Sequence, residues 1–179
     1  MRARQRIAGA IAFAAAASFL TAGLAAPANA SSAAEDTAQF TQLVNLVTWE
    51  SMKCAAIPGN NPANQVQVIQ FTCGDDSHQE QQWEATDVDI DGFSNTVYVF
   101  KNKRTSKCLT AAGGGVVWQY TCIAGNRNQR WAYDRGWRLH NQESGKCLAV
   151  PGGPRDDTVG LIHFTCSDSK SQQWDKVPV

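Results

Sequence analysis

Past its first thirty residues the sequence has no hydrophobic run long enough to span a bilayer, and no segment with a sustained helical period. That excludes a membrane-spanning helix in that part and argues against a helical bundle. Charge of one sign is also missing: 16 Lys and Arg balance 16 Asp and Glu. A nucleic-acid-binding chain, or one held to an anionic membrane, needs a positive surplus. There are three histidines, His78, His140 and His163, and no Cys-x-x-Cys pair, the nearest cysteines being 14 positions apart. No metal site or cofactor is expected from that inventory.

Catalytic constellations are equally scarce. The acids fall in polar stretches, as Asp75 with Asp76, Asp87 with Asp89 and Asp91, and Asp156 with Asp157. They read as solvated loop residues, not as a facing carboxylate pair. The Asp87-x-Asp89-x-Asp91 run lacks the glycine and the distant glutamate of a calcium loop. No histidine lies in a motif with a nucleophile, and the chain is not expected to be an enzyme.

What is present begins with a leader. Arg2, Arg4 and Arg6 precede an Ala-rich apolar run over residues 7–26, and Ala28-Asn29-Ala30 follows. This is the order of a secretory signal peptide with a small-residue cleavage site, and it predicts a mature chain starting at Ser31 and secreted to the outside. The alternative, a membrane anchor, fits a short Ala-rich run with a good cleavage site less well. The mature 149 residues keep 13 Lys and Arg against 16 Asp and Glu, a formal charge of −3. Residues 31–41 read as a flexible tail, and 42–179 as one domain.

All six cysteines lie in that domain, an even count that implies disulfides in an exported chain. The pairing follows from an internal triplication. Lys53-Cys54, Phe71-Thr72-Cys73 and Gln81-Gln82-Trp83 recur as Lys107-Cys108, Tyr120-Thr121-Cys122 and Gln129-Arg130-Trp131. They recur again as Lys146-Cys147, Phe164-Thr165-Cys166 and Gln172-Gln173-Trp174. The repeats cover about 42–84, 96–132 and 136–175. Equivalent pairs within units are Cys54–Cys73, Cys108–Cys122 and Cys147–Cys166, each expected to stabilise by roughly 3 kcal/mol on the chain-entropy model.

Between these landmarks lie short segments rich in β-branched and aromatic residues: 43–47, 66–71, 97–100, 116–120, 137–139 and 161–164. Gly, Pro, Asn and Asp gather at 58–64, 113–115 and 151–157 and mark turns. In Trp118-Gln119-Tyr120 the two rings share one strand face. Trp83, Trp131 and Trp174 occupy equivalent places and are expected to pack together as the core.

This Lys-Cys, aromatic-Thr-Cys, Gln-x-Trp triplet resembles the ricin B-type lectin family, over about 42–175. The resemblance implies an all-β fold, a β-trefoil of three disulfide-containing repeats, and a glycan or polysaccharide as partner. It also implies where sugar binds. Each competent unit of that family carries an acid two positions after its first cysteine. Here those positions are Ala56, Thr110 and Ala149. The family's glutamine four positions before the second cysteine is Ile69, Trp118 and Ile162 here. The aromatic platform is kept at Phe71, Tyr120 and Phe164, while the asparagine before Gln-x-Trp survives only as Asn128, against Glu80 and Ser171.

The second repeat is therefore the candidate carbohydrate site. Tyr120 and Trp118 offer apolar walls, Asn128 and Gln129 offer amides, and Thr110 replaces the acid with a weaker neutral acceptor. Gln129 has the alternative role of holding the fold together. In the first and third units only the loops at 58–64 and 151–157, with Arg155, Asp156 and Asp157, offer further polar groups. Two functions follow: an extracellular carbohydrate-binding module with weak or atypical binding centred on the second repeat, or a protein-binding or inhibitory trefoil without sugar chemistry. The missing acids favour the second, and Tyr120 with Asn128 the first.

Overall fold

The triplication sets the architecture. The computed structural model describes residues 39–48 and 52–179. The expected leader over 1–30 and most of the expected tail lie outside those residues. Everything described belongs to one unit, Asp36–Val179.

The first repeat holds β1 (Phe40–Asn45), β2 (Lys53–Ala56), β3 (Val66–Gln67), β4 (Ile69–Thr72) and β5 (Trp83–Ile90). The second holds β6 (Thr96–Asn102), β7 (Cys108–Ala111), β8 (Val117–Tyr120) and β9 (Trp131–Tyr133). The third holds β10 (Leu139–Asn141), β11 (Cys147–Ala149), β12 (Val159–Gly160), β13 (Ile162–Phe164) and β14 (Trp174–Pro178). Among the described residues the helical elements are single 3-10 turns, and none is long and apolar enough to cross a membrane.

Six strands form a ring. β1 pairs with β5, β5 with β6, β6 with β9 and β9 with β10. An isolated bridge between Arg138 and Gln173 carries β10 to β14, which returns to β1. Closure leaves no bare edge in the barrel. The other strands form three hairpins over one end, joined by β3 with β8, β4 with β12, and a bridge between Val116 and Ile162. This is a β-trefoil.

The pseudo-threefold axis is visible in single hydrogen bonds. Val68 N donates to Val117 O, Val117 N to Leu161 O, and Leu161 N to Val68 O, at 3.0, 3.1 and 2.7 Å, closing a cycle through all three repeats. Trp83, Trp131 and Trp174 are fully buried with Phe100, Leu43 and Leu139 around them. Each indole N–H donates at 3.0 Å to the carbonyl of the residue after the first cysteine: Ala55, Leu109 and Leu148. Each ring thus buries its apolar area, worth roughly 5 kcal/mol gross, and leaves no polar atom unpaired. The three disulfides join Cys54 to Cys73, Cys108 to Cys122 and Cys147 to Cys166.

The structure moves several boundaries. β1 begins at Phe40, inside the segment read as tail, because Phe40 and Thr41 pair with Glu84 and Trp83. The first repeat runs past residue 84, since β5 continues to Ile90. Asp87 and Asp89 are not loop residues: they sit in β5, opposite Tyr98 and Val97 of β6. The 137–139 segment is only partly a strand. Trp137 lies in the turn before β10, with a left-handed φ of 62°. Asp134 makes that turn, its Oδ1 accepting from the backbone N–H of Gly136 and of Arg138 at 2.9 Å.

Candidate functional site

In the second repeat β7 and β8 pair with Cys108 opposite Tyr120 and Thr110 opposite Trp118. Opposite residues of an antiparallel pair share a face, so the hairpin brings Thr110, Trp118 and Tyr120 together. Both rings are half-buried, while Gln119 between them points inward and is buried. After Cys122 the chain returns through a 3-10 turn, Arg127–Gln129, capped by the Asn126 side chain, which accepts from Asn128 N at 3.0 Å.

That turn separates the two amides. Gln129 is 1% exposed. Its Oε1 accepts from Ile123 N at 2.8 Å, and its Nε2 donates to Thr121 O at 2.9 Å and to Thr110 Oγ1 at 3.2 Å. Gln81 and Gln172 repeat the two loop bonds, to Gly74 N with Thr72 O and to Ser167 N with Thr165 O. Gln129 therefore pins the loop after the second cysteine, the alternative role given for it above. Thr110 is also engaged: its hydroxyl proton goes to Cys108 O at 2.8 Å and one lone pair to Gln129, at 7% exposure. Asn128 is half-buried, and its side-chain amide has no hydrogen-bonding protein partner among the described residues. It lines a cleft of about 510 Å³ with Ala112, Gly113–Gly115 and the third repeat's Phe164. Of the five expected site residues, the fold thus joins Thr110, Trp118, Tyr120 and Gln129 at one hairpin. Asn128 faces the seam with the third repeat.

The first repeat keeps a cleft of about 270 Å³ at the family position, over Phe71, Ala56, Ile57 and Gln81. Where the family has an acid, the Ala56 methyl stands. At the same cleft Glu80 pairs with His78 at 2.9 Å. In the third repeat Phe164 is 59% exposed. Asp157, one of the loop groups at 151–157, is taken by the first repeat: its Oδ1 accepts from Lys53 Nζ at 2.6 Å and Thr72 N at 2.7 Å. Burial would raise its carboxyl, but the bonds from Lys53 and Thr72 hold it below the ordinary value.

Two sets of buried polar residues hold the repeats in register, and residue type alone did not reveal them. Gln70, Gln119 and His163 are equivalent, and each donates to a loop carbonyl of the preceding repeat in the cycle. Gln70 reaches Pro154 and Asp156, Gln119 reaches Asn61 and Ala63, and His163 Nε2 reaches Ala112. Asn45, Asn102 and Asn141 do the same for the Gln-x-Trp turns, at Ser171, Glu80 and Asn128 among others. The signal was positional: Asn102 and Asn141 each stand six residues before their unit's first cysteine.

His140, Cys147 and Cys166 are close enough to one another to suggest a metal site. Both sulfurs are bonded to each other, so neither is a thiolate ligand. Asp134 accepts from Arg138 and contacts His140 Nε2 at 2.6 Å. Burial raises its carboxyl, and the bonds from Arg138 and His140 outweigh that and lower it.

Known proteins share this arrangement. The model of the ricin-type β-trefoil lectin domain matches residues 40–174. The chain belongs to that family. Among solved structures, a designed threefold-symmetric protein, ThreeFoil, superimposes with a TM-score of 0.68 at 26% identity, over 78% of this chain and 99% of that one. The C-terminal half of an earthworm R-type lectin, solved in complex with GalNAc, gives 0.61 at 13% identity, over 79% and 99%, and supports the fold alone. The CdtA component of the cytolethal distending toxin of Campylobacter jejuni subsp. jejuni is 29% identical over 92 residues. That match covers 46% of this chain and about a third of the toxin component, 34%. As a ricin-type lectin domain the chain has a carbohydrate-binding fold, and no catalytic family is indicated.

Proposed function

We propose that the protein is a secreted glycan-binding module whose binding is weak and centred on the second repeat. The observation that carries this is the pair of half-buried rings, Trp118 and Tyr120, on one face of β8 opposite Thr110 and Cys108. Such rings take the apolar C–H face of a sugar. Asn128 has unused amide donors at the neighbouring seam, and Thr110 with Gln129 forms a hydrogen-bonded floor. The absence of a charged acceptor keeps the affinity low: a charge-assisted hydrogen bond contributes roughly 1.5–3 kcal/mol against about 1 for a neutral one. Screening the folded, oxidised domain on a glycan array tests this. Selective retention of a small set of glycans supports it, and silence in an assay sensitive to millimolar affinity contradicts it.

The similarity to a toxin component favours a second reading, in which the trefoil works as a recognition module docked on other protein chains. The acid-free positions Ala56, Thr110 and Ala149 agree with it. Retention of an extracellular protein by the immobilised domain, with no response on any glycan, would select this reading.

A further inference from the structure

We propose that the Cys147–Cys166 disulfide is a site of thiol–disulfide exchange, at which Cys166 takes a small thiol in covalent linkage and His140 acts as the base. The three disulfides stand in equivalent places, but the residue paired with each first cysteine differs. Val44 lies opposite Cys54, Lys101 opposite Cys108 and His140 opposite Cys147. Valine has no proton to exchange, and the Lys101 ammonium, paired with Glu84 at 3.1 Å, has no lone pair. His140 Nδ1 lies 3.4 Å from Cys166 Sγ, and its Nε2 lies 2.6 Å from Asp134 Oδ2. Asp134 is itself fixed, by the backbone N–H groups of Gly136 and Arg138 on Oδ1 and by Arg138 Nε on Oδ2 at 2.8 Å. Nε2 therefore carries the proton and donates it to the carboxylate, which leaves the Nδ1 lone pair facing the sulfur. A base within reach of a sulfur, oriented by a third group, is the arrangement that activates a thiol.

The attack falls on Cys166, which is half-buried, because Cys147 is fully buried. A thiol reaching Cys166 gives its proton to His140 Nδ1, and the resulting thiolate attacks Cys166 Sγ. A new S–S bond forms there as the bond to Cys147 breaks, and the electron pair stays on Cys147 Sγ. That sulfur lies within 4.8 Å of the same imidazole, which returns the proton to it. One thiol is consumed, and the products are a mixed disulfide at Cys166 and a thiol at Cys147, with no further oxidant or reductant. The loop after Cys166 stays pinned through the exchange, because Gln172 holds Ser167 N at 2.7 Å and Thr165 O at 2.9 Å. The site depends on neither reading of the function given above.

The test follows the intact oxidised protein in millimolar reduced glutathione near neutral pH, with acid quenching, alkylation and non-reducing peptide mapping over time. Glutathione is expected on Cys166 about tenfold or more sooner than on Cys73 or Cys122. Cys122 is exposed while Cys73 and Cys166 are half-buried, so access alone would place Cys122 first. His140→Gln is expected to slow the reaction at Cys166 by about tenfold or more. The rates at Cys73 and Cys122 are expected to stay the same in that variant, which reports that it is folded. At about pH 9.5, above the ordinary cysteine value of about 8.5, glutathione is already a thiolate, and the gap between wild type and variant is expected to close. The charged groups around the imidazole are Asp134, Arg138 with Asp168, and Asp91. Carboxylates and a guanidinium do not titrate in that range. Cys73 or Cys122 reacting first, glutathione on Cys147 in place of Cys166, an undiminished rate in His140→Gln, or a gap that persists at the higher pH overturns the proposal.

Discussion

Gln129 Nε2 donates to Thr110 Oγ1 across 3.2 Å, joining the residue at the family's acid position to the signature glutamine. The same glutamine bonds Ile123 N and Thr121 O, so its amide is spent on the loop after Cys122. Gln129→Ala should leave those two backbone groups without a partner. It is expected to destabilise by about 1–3 kcal/mol, each lost hydrogen bond contributing roughly 0.5–1.5. Urea unfolding measures this, and a change within a few tenths would show that the loop does not depend on the side chain.

The repeat pattern carried the topology and the disulfides, because both depend on residue types that stand out: cysteine, tryptophan, and aromatic residues before Thr-Cys. The register devices were hidden for the opposite reason. Gln70, Gln119, Asn102 and Asn141 are residue types that belong on the surface, yet all are at most 1% exposed, their side-chain N–H groups donating to backbone of another repeat. Trp137 misled because Trp-Arg-Leu has strand composition, whereas the turn is made by an aspartate side chain three positions earlier. Asp87 and Asp89 misled because acids read as loop, whereas their exposed strand β5 is held by its pairing with β6. At the candidate site the residue types were legible, but their division between ligand face and buried floor was not.

The disulfides should matter nearly equally. Cys108–Cys122 closes the shortest loop, at a sequence separation of 14 against 19 for the others. Replacing both cysteines of one pair by serine is expected to cost roughly 3 kcal/mol, with the differences among pairs well under 1. Chemical denaturation of the three double variants checks this.

Acid should loosen the hairpin turn at Asp134. Its carboxyl, like that of Asp157, lies below its ordinary value in the folded state. The stabilisation is then present above the unfolded value, about pH 4, and is lost as pH falls through the folded one. The melting temperature of Asp134→Asn should lie furthest below the wild type above about pH 5, and the gap should shrink on acidification. A gap that is constant with pH would contradict the assignment.

Export predicts a defined N-terminus. Intact mass of protein recovered from the medium should correspond to a start at Ser31 or within a few residues. A retained leader on the recovered protein would contradict secretion by cleavage.

The most direct test of the central claim is a titration of wild type, Tyr120→Ala and Phe71→Ala with a glycan retained on the array, followed by NMR. The account predicts one weak site in the wild type, its loss in Tyr120→Ala, and wild-type affinity in folded Phe71→Ala. Equal loss in the two variants, or full binding by Tyr120→Ala, would contradict a site centred on the second repeat.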